Sequence, residues 1–127
     1  MQQKNKQTKN YFAYAIYSVI FTSFLFIMFG SNGWGPSAAN EQAIGEISRW
    51  CERVSGGFFR EPVNTLGNLG FVAAGLFMFY KITQDATNNS NPLFGSFKIA
   101  ILYASASTFL GPGSMAMHGT HTSFGAW

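Results

Sequence analysis

The sequence predicts an all-α fold, a multi-pass integral membrane bundle with three transmembrane helices, on three observations. Only 10% of its 127 residues are charged, against roughly 25% in ordinary soluble domains. Three stretches, beginning near Tyr11, Val63 and Ile99, each run for about twenty residues with almost no charge, the length that crosses hydrocarbon. Lysines flank them in the pattern of cytoplasmic ends: Lys4, Lys6 and Lys9 before the first, Lys81 closing the second, Lys98 opening the third. The 14 Phe and 14 Gly suit the same class, since aromatic bulk faces lipid and glycine is frequent in membrane helices. The net charge of +3 is spread too thinly for nucleic-acid binding, and the single cysteine, Cys51, excludes a disulfide within the chain.

The first unit, residues 1–30, is a basic N-terminus followed by the apolar run Tyr11 to Gly30. Its basic flank stays cytoplasmic under the positive-inside tendency, which sends Ser31 and the loop beyond it outward. A cleaved signal peptide is the rival reading, with Ser37 and Ala39 fitting the small-residue rule, but the apolar run exceeds the usual core of about 7–15 residues. Residues 31–62 turn polar and read as an extracytoplasmic loop. Within it, Ala43, Ile44, Ile47 and Trp50 recur at helical spacing and predict a short interfacial helix over Glu41 to Trp50.

Residues 63–127 form the third unit. Pro62 opens a helix from about Val63 to Ile82, since proline is tolerated in a first turn. Asn64 and Asn68 lie one turn apart on it beside Thr65 and Gly67, a polar face turned to a neighbour, either as interhelical glue or as part of a site. Thr83 to Phe97, with Asn88, Asn89, Ser90, Asn91 and Pro92, reads as a loop. The last span runs from Ile99 to His118, and Gly111, Pro112 and Gly113 are expected to interrupt it. Ser114 and His118 then share a face one turn apart. An ionisable residue in such a run is a functional-site candidate by default, whereas His121 falls nearer the end, where a solvated interfacial role serves equally well. Under this topology Trp50, Cys51, Glu52, Glu61, Asn64, Thr65, Asn68, Ser114 and His118 meet near one membrane face. Carboxylates, amides, a hydroxyl and an imidazole at one depth suit a hydrolytic zinc site, although one histidine is short of the usual three ligands. Three helices around a lone deep histidine give the expectation of a chain that is the front part of something longer.

The runs Trp50-Cys51-Glu52, Glu61-Pro62-Val63-Asn64-Thr65-Leu66-Gly67-Asn68 and Gly111-Pro112-Gly113-Ser114-Met115-Ala116-Met117-His118 resemble, in order, the N-terminal half of the alkaline ceramidases. That family belongs to a seven-helix membrane hydrolase group which also includes the progestin and adiponectin receptors. The resemblance implies an intramembrane zinc-dependent hydrolase that cleaves the amide bond of a ceramide-like lipid. By that resemblance His118 is a zinc ligand, in preference to His121, and Ser114 steadies the oxyanion. The family's two other zinc histidines and its water-assisting aspartate have no counterpart in these residues. Glu52, Glu61 and the Trp50 carbonyl match calcium ligands of the eukaryotic enzymes, but Arg49 and Val54 replace an aspartate and an asparagine, so calcium is expected to bind weakly or not at all. Glu61 has an alternative, surface pairing with Arg60 or Arg53. The competing expectations for the chain are a non-enzymatic, receptor-like or structural relative, in which the polar residues only hold helices together, and an inactive truncated fragment.

Overall fold

In the computed structural model, which describes residues 10–30, 34–37, 39–88 and 95–123, the chain is helical with no strand among the described residues. Helix α1 spans Tyr11–Gly30, α2 Pro62–Gly67, α3 Leu69–Asn88 and α4 Phe97–Thr120. Three spans, Tyr11–Gly30, Pro62–Asn88 and Phe97–Thr120, are long and apolar enough to cross a membrane. Lys4, Lys6 and Lys9 and the turn cluster Asn89 to Pro92 lie outside the described residues.

Helix α1 keeps the bounds that its uninterrupted apolar run predicts. Two of its hydroxyls turn back on the helix, Ser18 Oγ to the Tyr14 carbonyl at 3.0 Å and Thr22 Oγ1 to that of Ser18 at 2.8 Å, so neither faces an apolar surround unbonded. Most of its large side chains, Phe21, Phe24 and Ile27 among them, are exposed. Apart from Gly30 at its end, burial is confined to its first turns, where Ala15 packs with Phe79, Ile82, Ala100 and Ala104. The Phe12 amide donates to Thr83 Oγ1 at 3.0 Å. The start of α1, the end of α3 and the start of α4 therefore lie together, and the loop before α2 sits at the opposite end of the bundle.

The second span starts at Pro62 as expected but breaks at Asn68 and continues to Asn88, well past Ile82. At the break the Asn68 amide turns to the Thr65 carbonyl at 3.3 Å, and Asn68 Nδ2 bonds the Asn64 carbonyl at 2.7 Å in its place. A side-chain donor thus satisfies the acceptor that the kink vacates. The extension survives its polar composition because Thr83 and Thr87 bond their hydroxyls back to the carbonyls of Phe79 and Thr83.

Helix α4 is not interrupted at Gly111 to Gly113; Pro112 sits inside it. Glycine here serves close packing instead. A Cβ on Gly111 would come within 2.5 Å of Val72 Cγ2 and 3.0 Å of the Asn68 carbonyl, so the kink of α2 and α3 nests directly on α4. Gly75 makes the matching approach farther down, with the Thr108 backbone 2.7 Å from where its Cβ would be. Small residues at both contacts are what lets membrane helices meet without a hydrophobic drive.

The interfacial helix expected over Glu41 to Trp50 does not form. Gly45 adopts φ +91, outside helical space, and the chain folds into a short hairpin-like turn. The Gly45 amide bonds the Val54 carbonyl, the Val54 amide that of Glu46, and the Ser48 amide that of Glu52, at 2.7–2.8 Å, with Ile47 and Arg53 bridged antiparallel. Cys51 turns the corner at φ +64. Four apolar residues at helical spacing misread this piece because Ile44 and Ile47 stay exposed, and the buried residues of the hairpin are Ser48 and Val54.

Candidate functional site

Two helix ends meet the hairpin, and each leaves backbone groups that its own helix cannot satisfy. At the start of α2, Glu52 accepts from the amides of Val63 and Asn64, one on each carboxylate oxygen, both at 2.7 Å. A negative charge there also suits the helix dipole. At the end of α4, the Gly119 and His118 carbonyls accept from the amides of Arg60 and Glu61 at 2.9 and 3.1 Å. The residues ahead of Pro62 are thereby fixed to the end of α4, and Glu61 is held between the two termini.

Glu61 has no accessible surface. Its Oε2 lies 2.7 Å from His118 Nδ1 and 2.9 Å from Asn64 Nδ2, and its Oε1 lies 2.9 Å from His121 Nε2; Ser48 adds a further side-chain hydrogen bond. Burial alone would raise its pKa, but the bonds from Ser48, Asn64, His118 and His121 together outweigh desolvation and hold it below the ordinary carboxylate value. An ionised carboxylate only accepts, so His118 Nδ1 and His121 Nε2 each carry the shared proton. Trp50 covers the pair, its ring meeting that of His118 edge to face at 4.8 Å. Its carbonyl accepts from Asn64 Nδ2 at 3.4 Å.

The structure therefore gathers Trp50, Glu52, Glu61, Asn64 and His118 at one end of the bundle, with Ser114 half-buried one turn before His118. Among the described residues the Ser114 hydroxyl makes no hydrogen bond. Asn68 does not line the site; its amide serves the kink. Glu61 is not a surface partner of Arg60 or Arg53, whose guanidiniums go to the carbonyls of Ser55 and Gly45. Nor is His121 a solvated residue: it is buried, caps α4 with φ 51, and shares the carboxylate of Glu61 with His118. Sequence reasoning missed Ser48 and Glu41. Ser48 is buried on the hairpin, and Glu41 reaches His121 Nδ1 at 3.5 Å and Arg49 at 3.3 Å. Neither belongs to a helix face, so no periodic signal marks them; an odd pair of histidines three apart at a helix end was the one available clue.

Zinc and calcium fare differently against these donors. His118 has one ring nitrogen on a buried carboxylate and makes no hydrogen bond through Nε2 among the described residues, as a zinc-binding imidazole requires. No group of three or more His, Cys, Asp or Glu able to hold a metal is present among the described residues, so those residues by themselves do not make up a three-ligand zinc site. The calcium candidates do not fit. Both oxygens of Glu52 hold backbone amides and those of Glu61 hold imidazoles, while Arg49 lies 5.3 Å from the Trp50 ring, placing a cation beside the site. No family model, curated protein or solved structure matches this chain.

Proposed function

We propose that this chain is the front part of a seven-helix, ceramidase-like intramembrane amidase, zinc-dependent and acting on a lipid amide such as ceramide at the extracytoplasmic face. The observation that carries the reading is the 2.7 Å contact between His118 Nδ1 and the buried carboxylate of Glu61. A carboxylate on one nitrogen fixes the tautomer and ring orientation of an imidazole and presents its other nitrogen to a metal. Zinc, when bound, supplies Lewis-acid polarisation and a nucleophilic water near neutral pH. Ser114, one turn from His118 and with its hydroxyl uncommitted, stabilises negative charge developing on the carbonyl oxygen of the substrate. Asn64 and Ser48 hold Glu61 in place. The remaining zinc ligands come from helices outside this sequence.

The test is zinc content and fluorogenic ceramide hydrolysis in the purified full-length protein. His118→Ala lowers bound zinc and abolishes turnover; Ser114→Ala keeps zinc and loses roughly 10²–10³-fold in kcat. Equal zinc in wild type and His118→Ala would overturn the assignment. One observation favours a second reading, a non-enzymatic membrane protein: Glu61 is so fully hydrogen-bonded that the cluster serves as a structural clasp on its own. Under that reading Ser114→Ala is silent in every assay and no ceramide turns over.

A further inference from the structure

We propose that His121 Nδ1 and Glu41 Oε2 form a binding site for a divalent transition-metal ion of the zinc class, separate from His118. The two atoms are 3.5 Å apart. Both are buried, and neither has a hydrogen-bond partner. His121 Nε2–H donates to Glu61, which leaves Nδ1 as the ring atom open to an ion, and the carboxylate oxygen opposite is likewise uncommitted. Buried polar atoms left without partners are costly, and a cation joining the two removes that cost. A tetrahedral ion with bonds of about 2.0–2.1 Å sets its ligand atoms about 3.3–3.4 Å apart. The observed separation matches that edge, whereas a charged imidazole–carboxylate hydrogen bond closes to about 2.7–2.9 Å.

The surroundings of the ring point the same way. Glu61 sits on the opposite nitrogen at 2.9 Å, the carboxylate–imidazole arrangement that orients metal-binding histidines. His121 also holds a left-handed backbone, φ 51 and ψ 25, a conformation uncommon outside glycine that persists only where its surroundings enforce it. Nitrogen together with a single carboxylate suits zinc, cobalt or nickel and not calcium, which wants six to eight oxygens. With two protein ligands, water completes the coordination and the ion stays exchangeable. Arg49 is the competing cation, its Nη2 3.3 Å from Glu41 Oε1 and its side chain half exposed.

The site stands independently of the amidase reading, and the experiment keeps the two apart. The 127-residue chain, purified in detergent and stripped with a chelator, is titrated with Zn²⁺ by calorimetry and with Co²⁺ by visible absorption. One ion per chain is expected, with the intense bands of four-coordinate cobalt. His121→Ala and Glu41→Gln each weaken binding by about tenfold or more, as does Glu61→Gln through ring orientation. Arg49→Gln, a surface change that leaves the fold intact, strengthens it several-fold, and His118→Ala retains it. Absence of binding in the wild type, unchanged affinity in Arg49→Gln, or loss in His118→Ala with retention in His121→Ala would each overturn the proposal.

Discussion

Glu61 has no contact with solvent and still favours its charged form, because four side-chain hydrogen bonds outweigh the desolvation that burial imposes. That balance fixes a pH dependence. A carboxyl whose folded pKa lies below its unfolded value, about 4.3 for glutamate, contributes stability that is fully present above the unfolded value and is lost as pH falls through the folded one. Thermal unfolding in mixed micelles should therefore show wild type well above Glu61→Gln at pH 7, by about 3–5 kcal/mol for breaking a buried polar cluster. The gap should close below roughly pH 4; a gap constant down to pH 3 would mean that the carboxylate is not the species holding the cluster. The sequence marked His118 and Glu61 separately but not their contact, since the two are 57 residues apart. Only the docking of the loop on the end of α4 joins them.

Among the helices, what was legible came from composition alone. An uninterrupted apolar run gave α1 its bounds, and Pro62 gave the second span its start. The Gly111-Pro112-Gly113 run misled because glycine has two uses, and here it makes room for α3 rather than breaking α4. Gly75 tests that account. Alanine is the better helix former by about 1 kcal/mol, yet a Cβ at this position would press on the Thr108 amide and Cα at 2.7 and 2.8 Å, backbone that cannot move independently. Gly75→Ala is expected to destabilise by about 1–3 kcal/mol in the same unfolding assay, while Gly70→Ala, with nothing within 4 Å, should be neutral or slightly stabilising. Equal behaviour of the two would remove the close crossing of α3 and α4.

For the molecule as a whole, the end-to-end arrangement sets Lys81 and Lys98 near the end of the bundle opposite the hairpin. With the lysine-bearing end cytoplasmic, the native Cys51, exposed at the hairpin corner, should react with an impermeant maleimide added to intact cells. A cysteine introduced at Asn88 in a Cys51→Ser background should react only after permeabilisation. The reverse pattern would turn the molecule over in the membrane. The hairpin docked on α4 also dictates an order of assembly. Chains emerge from the ribosome N-terminus first, so the loop and α2 are made well before His118 and Gly119, whose carbonyls the Arg60 and Glu61 amides need. Until α4 arrives, Glu61 is an ordinary hydrated carboxylate on an unfolded loop. The cluster is thus a late event in biogenesis, and a nascent chain stalled before α4 would carry all of its acidic residues with nothing yet to close over them.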